Sequence, residues 1–184
     1  MSENIRRYIT YFSETGAENT AEVARLAAER SGEGDIKALV VATTSGRTAL
    51  TVARTTAGAV KAEIPLFAVN FQSPQWEKHA PPDPEIRARA EALGVRFIPE
   101  EPHVRYIREI PGHSPDSLRR LGQGVKVAVE VVMQAVEAGL IAAGERVIGI
   151  GGTSSGADVA LVVIAAGPDQ LDELRISEII AKPL

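Results

Sequence analysis

The segment IKALVVA, residues 36 to 42, is apolar at every position except Lys37. Successive side chains of a β-strand point to opposite faces of its sheet, so a strand that is apolar at consecutive positions is buried on both faces. A parallel sheet covered by helices on two sides meets that demand; an antiparallel sheet with one wet face does not. VALVVIAA at 159–166 makes the same demand, and LFAVN at 66–70 and ERVIGIGG at 145–152 read as further strands. With helical segments between the early strands, the expected fold is α/β: a three-layer α/β/α sandwich with a mostly parallel sheet.

The rest of the chain fills in around that sheet. Residues 5–12 suit a short first strand, and Asn19 or Thr20 can cap a helix running to about Arg30, ended by SGEGD. GRTALTVARTTAGAV, residues 46–60, is helical in pattern. FQSPQWEKHAPPDP, with four prolines and the single tryptophan, Trp76, reads as a loop over about residues 70–84. Asp83 or Pro84 then opens the helix PEIRARAEAL, closed by Gly94, and VRFIP is a strand. Residues 99–117 yield no assignment. From about Pro115 to Leu140 the pattern predicts one long helix, buried in its second half because VKVAVEVVMQAVEAGLI is apolar nearly all round. LDELRISEIIAKPL supplies a last strand, and residues 1–184 are expected to form a single domain.

Charge and composition exclude several functions. A net charge of −4 offers no general basic face for nucleic acid, and the absence of cysteine removes disulfides, thiolate metal sites and a cysteine nucleophile together. MSENIRRYITYF has neither a long apolar core nor a small-residue cleavage site, and no uncharged apolar stretch reaches the roughly 20 residues that span a bilayer. A cytoplasmic protein with no membrane partner is the expectation.

Two turns rich in small residues follow predicted strands, at the sheet edge where open α/β folds bind ligands. In TTSGRT, residues 43–48, a helix starts immediately after the strand. Helix-start N–H groups and the helix dipole favour an anion, to which Thr43, Thr44, Ser45 and Thr48 can add hydroxyls and Arg47 a guanidinium around Gly46. The alternative is an ordinary capped helix start. The turn is not a Walker A loop, since no glycine stands five residues before Gly46 and no lysine follows it. In the second turn, GGTSSGAD, the near-match GIGGTS has Ser154 in place of the third glycine of a dinucleotide fingerprint, and a strand follows rather than a helix. GTSSG, Gly152 to Gly156, also matches the nucleophile elbow, yet it too lacks the following helix, and every histidine precedes Ser154. A glycine-rich turn permitting close backbone approach is the better reading.

His79, His103 and His113 are spaced as loop residues rather than as zinc ligands on one helix. Lys126 and Glu130 are one helical turn apart and read as an ion pair at the helix surface, or as a catalytic couple should that face line a cleft. Trp76 can cover a bound ring or pack on its own loop.

The segment TTSGRTALTVARTTAGAVKAEIPLFAV resembles the C-terminal domain of pyruvate kinase, in which a similar turn follows a strand and precedes a helix. ENTAEVARLAAERS, GQGVKVAVEVVMQAVEAGLI, ERVIGIGGTSSGADVALVV and ISEIIAKP, in order along nearly the whole chain, resemble a family of stand-alone relatives of that domain. The resemblance implies a pyruvate kinase C-terminal domain-like three-layer α/β sandwich without the kinase's catalytic barrel, hence without phosphate transfer to ADP. It implies that TTSGRT holds a phosphate, as in kinases that bind a sugar-bisphosphate effector. Relatives of the stand-alone kind have been seen with flavin mononucleotide (FMN), a phosphate joined to a flat ring. On that analogy Gly152, Thr153, Ser154, Gly156 and Asp158 would meet the ribityl chain or ring edge, with Asn19 and Thr20 close by. NFQSPQW departs from the polar, histidine-containing segment of the relatives, and Arg47 stands where some of them carry an acid. The leading expectation is a phosphorylated small molecule, FMN included, as ligand, with Arg47→Ala weakening it by about 1.5–3 kcal/mol. The alternatives are a flavin-dependent oxidoreductase and an interaction module that docks on a partner enzyme. Self-association accords with the same analogy.

Overall fold

The computed structural model describes residues 4–57, 64–70, 82–99 and 101–184. Within them β1 (Thr10–Phe12) leads to α1 (Thr20–Ser31), β2 (Leu39–Ala42), α2 (Arg47–Thr56), β3 (Leu66–Val69), α3 (Pro84–Glu91) and β4 (Val95–Phe97). Then come α4 (Asp116–Arg119), α5 (Gln123–Glu137), β5 (Arg146–Gly151), β6 (Val159–Ile164) and β7 (Arg175–Pro183). The strands form one sheet in the order β1-β7-β6-β5-β2-β3-β4. All pairings are parallel except the two made by β6, which runs against its neighbours β5 and β7.

The consecutive apolar residues of the strands serve two cores, as their alternation requires. Leu39 and Val41 face a cluster built with Val23 and Ala27 of α1 and Ala49 and Val52 of α2. Val40 of the same strand faces the opposite cluster, with Val125, Val129, Val132 and Met133 of α5. The result is a three-layer α/β/α sandwich with a mostly parallel sheet.

On the second face α5 lies unusually close to the sheet. A Cβ on Gly149 would come within 2.6 Å of the Ala128 carbonyl oxygen, and one on Gly151 within 2.4 Å of the Gly124 carbonyl oxygen. Only residues without a side chain let helix and strand backbones meet there.

Three boundaries differ from the sequence reading. The first strand is confined to Thr10–Phe12, and helix α2 ends at Thr56, with residues 58–63 outside the description. The long helix expected from Pro115 to Leu140 is two helices, α4 and α5, separated at Gly122. There φ is 128°, a conformation closed to L side chains and incompatible with a continuous helix.

Residues 104–110, unassigned from sequence, form a strap across α5. Val104, Ile107 and Ile110 are buried in the α5-side core, and Tyr106 is buried as well. Glu130 of α5 accepts the Ile107 N–H at 3.1 Å, and Gln134 donates to the Arg105 carbonyl at 3.3 Å. Glu137 accepts the Arg105 backbone N–H at 2.6 Å and its Nε at 2.5 Å.

Candidate functional site

Strands β2 and β5 are adjacent and parallel, yet the chain leaves β2 towards β3 and leaves β5 towards β6, in opposite directions along the sheet. Such a reversal opens a crevice beyond the carboxyl ends of the strands. Both small-residue turns lie at this crevice, and a cavity of about 330 Å³ occupies it. One wall is formed by strand ends and turns, the other by α4, α5 and the strap.

From the first turn, Thr43, Thr44 and Thr48 line the cavity. Thr43 is buried, and its Oγ1 accepts the Gly46 N–H at 3.1 Å, which draws the chain into α2. Gly46 takes φ 93° at the N-cap, and a Cβ there would come within 3.2 Å of Ile86 Cγ2. The first-turn N–H groups of a helix have no carbonyl of their own helix to bond, so the start of α2 offers donors and a positive dipole end. Ser45 and Gly46 do not line the cavity; the Ser45 carbonyl accepts the Asp83 N–H at 3.2 Å. Arg47 is exposed and also lies outside the lining.

From the second turn, Gly152, Thr153, Ser154 and Gly156 line the cavity, but Asp158 does not. Its side chain, expected at a ligand, is completely buried and occupied by the backbone: Oδ2 accepts the Gly16 N–H at 3.1 Å and the Thr153 N–H at 3.2 Å. Among the described residues the other oxygen, Oδ1, has no hydrogen-bond partner, and it faces Gly124, where a Cβ would come within 2.5 Å. Gly124 stands in the first turn of α5, whose dipole favours a carboxylate. Thr20 is likewise turned inward, its Oγ1 accepting the Ala157 N–H at 3.0 Å. Asn19 sits at the N-cap of α1 without capping it; its Nδ2 donates to the Glu14 carbonyl at 2.8 Å. Neither Asn19 nor Thr20 lines the cavity.

The opposite wall carries charge. Lys126 and Glu130 both line the cavity and form an ion pair with side chains only 12 % and 7 % exposed. The sequence reading put this pair on the helix surface, or made it a catalytic couple should that face line a cleft. The strap and α4 cover that side of α5, so the pair belongs to the cavity wall instead. Tyr106, Arg108, Arg119, Gln123 and Gln134 complete the polar lining on this side. Little in the sequence pointed to them, although the apolar spacing Val104–Ile107–Ile110 marks a packed segment carrying the residues between. His103 pairs with Glu109 at 3.2 Å and His113 with Asp172 at 3.1 Å, both away from the cavity. The Asp172 carboxylate, then the Pro111 carbonyl, hold the His113 pKa above its ordinary value. His79 and Trp76 fall outside the described residues.

Residues 21–163 match the family described as pyruvate kinase, alpha/beta domain. The chain belongs to that family. In this alpha/beta domain the matched span contains every residue lining the cavity, whereas Asn19 and Thr20 lie just outside it. No helix among the described residues of the domain is long and apolar enough to cross a membrane.

Proposed function

We propose that the cavity binds a phosphorylated small molecule, its phosphate at the start of α2. The reading is supported above all by the charge of the lining: among the described residues Arg108, Arg119 and Lys126 stand against Glu130 alone, in a chain whose net charge is −4. An acidic protein that gathers cations into one crevice draws anions to it. Thr44 and Thr48, beside the first turn of α2, supply hydroxyls for phosphate oxygens.

At about 330 Å³ the cavity lies near the lower end of the range for ligand sites, which favours a compact metabolite. FMN shares the phosphate chemistry, and its phosphate suits the same hydroxyls. For its ring, the described lining offers one aromatic side chain, Tyr106, over which the Arg108 guanidinium lies at 4.8 Å. The test is calorimetric titration with inorganic phosphate, an alkyl monophosphate and FMN, with the absorbance of the purified protein recorded between 300 and about 550 nm. Saturable binding of the monophosphate, abolished in Thr44→Val/Thr48→Val, is the expected result. A yellow protein that releases FMN selects the flavin, and failure of every phosphate probe to bind overturns the reading.

A further inference from the structure

The two edges of the sheet are shielded unequally. An edge strand carries a row of unpaired N–H and C=O groups, which proteins protect with charged side chains, prolines or bulges. At one end β4 sets the exposed Arg96 between the buried Val95 and Phe97. At the other end β1 is Thr10, Tyr11 and Phe12, with neither charge nor proline, and among the described residues no strand pairs with its outer side. The Phe12 carbonyl accepts the Leu184 N–H at 3.0 Å and so points towards β7. Hydrogen-bonding groups alternate sides along a strand, so the Tyr11 N–H and C=O point to the free edge.

Apolar side chains collect at the same edge. Among the described residues seven large apolar side chains are exposed, and five of them, Ile5, Tyr8, Ile9, Tyr11 and Leu184, belong to β1, to the residues leading into it or to the residue bonded to Phe12. Tyr8 is 95 % exposed and Ile5 74 %. Grouped exposure of this kind marks a docking surface, whereas scattered exposed side chains do not. The segment is also anchored. Arg7 binds both Glu33 oxygens at 2.6 Å and reaches Glu178 of β7 at 3.4 Å, and Lys182 Nζ lies 5.3 Å from the centre of the Tyr11 ring. Charge selects what covers it. Arg6 precedes β1 and Glu14 follows it; both are exposed, and among the described residues neither makes an ion pair. Antiparallel pairing with the same strand of a second copy lays the start of one segment along the end of the other, so basic residues meet acidic ones on both sides of the axis.

We propose that β1 pairs antiparallel with β1 of a second copy about a two-fold axis, exchanging hydrogen bonds through Tyr11, covering the apolar side chains and bringing Arg6 towards Glu14 of the second copy. Main-chain hydrogen bonds supply the affinity of such strand addition and the flanking side chains its specificity. The contact is isologous and therefore closes at a dimer. It involves no cavity residue and stands apart from the phosphate reading.

Sedimentation velocity of the full chain, from low to high micromolar concentration, tests the pairing. A reversible dimer is expected. Tyr11→Pro removes an N–H that the chain's own sheet does not use, a position at which edge strands accept proline, and should weaken association about 100-fold. Circular dichroism checks its fold. Arg6→Glu should weaken association about tenfold by setting like charges together, and Arg6→Glu/Glu14→Arg should restore it. Both positions are exposed, so these variants decide the matter even if the proline variant does not fold. A chain that stays monomeric throughout overturns the proposal, as does a dimer that a folded Tyr11→Pro leaves unchanged. Failure of the charge exchange to restore association overturns the antiparallel pairing.

Discussion

The two turns at the crevice, TTSGRT and GGTSSGAD, look alike in composition and differ in what their polar groups do. In the first, Thr44 and Thr48 line the cavity, while the backbone turn is closed by Thr43 and Gly46. In the second, the one charged side chain is consumed: Asp158 ties Thr153 to Gly16, and Thr20 reaches in to hold Ala157. A carboxylate on a ligand-facing turn suggests recognition, but a buried one that accepts backbone N–H groups is a structural part. The lesson is that the first turn presents threonines to the cavity, whereas the second, although Gly152, Thr153, Ser154 and Gly156 line the same cavity, spends its carboxylate as a clasp between the sheet and the residues before α1.

Substitutions can break this contrast, beginning with the largest expected effect. Asp158→Ala leaves the Gly16 and Thr153 N–H groups without their acceptor, and urea unfolding should record a loss of about 3 kcal/mol. If that variant instead keeps its stability and loses phosphate affinity, the roles of the two turns are reversed. Gly156→Ala should cost about 2 kcal/mol, since its Cβ would meet Thr20 Oγ1 at 2.4 Å and Ala17 Cα at 2.5 Å, with φ at 69°. The same unfolding curves measure it.

Thr48→Val acts on the other side of the comparison. Its stability should stay within about 0.5 kcal/mol of the parent, while calorimetry registers a phosphate affinity weaker by about 1 kcal/mol. A stability loss larger than the affinity loss would make Thr48 part of the scaffold. Arg47→Ala is expected to do least. The sequence suggested a full charged hydrogen bond, but the side chain is exposed and off the cavity lining, where a charge contributes about 0.5 kcal/mol. A tenfold loss of affinity in that variant would bring Arg47 back to the anion.

The sheet was legible because its strands are apolar at consecutive positions, a pattern that leaves little choice of environment. Val40 facing one core while Leu39 and Val41 face the other is the structural form of that pattern. The helix break at Gly122 was harder to read, because apolar spacing continues on both sides and a glycine in a helix is not by itself a stop. The hydroxyl side of the cavity could be seen in advance, since one strand–turn–helix unit holds Thr43, Thr44 and Thr48. Its guanidinium side could not. Arg108 and Arg119 lie far from that unit in sequence, and only the packing of the strap and α4 against α5 brings them to it. Asp158 misled for a related reason: its partner Gly16 is 142 residues away.

The backbone contact between α5 and the glycines of β5 bears on how this crevice could change its ligand. Gly149 and Gly151 leave no room for a side chain, so the seam beneath the cavity is closed to remodelling: any larger residue pushes α5 off the sheet. The exposed side chains of the strap and α4, and Thr44 and Thr48 of the first turn, are under no such limit. A new specificity would therefore have to be written in the rim, one exposed side chain at a time, over a base that stays the same.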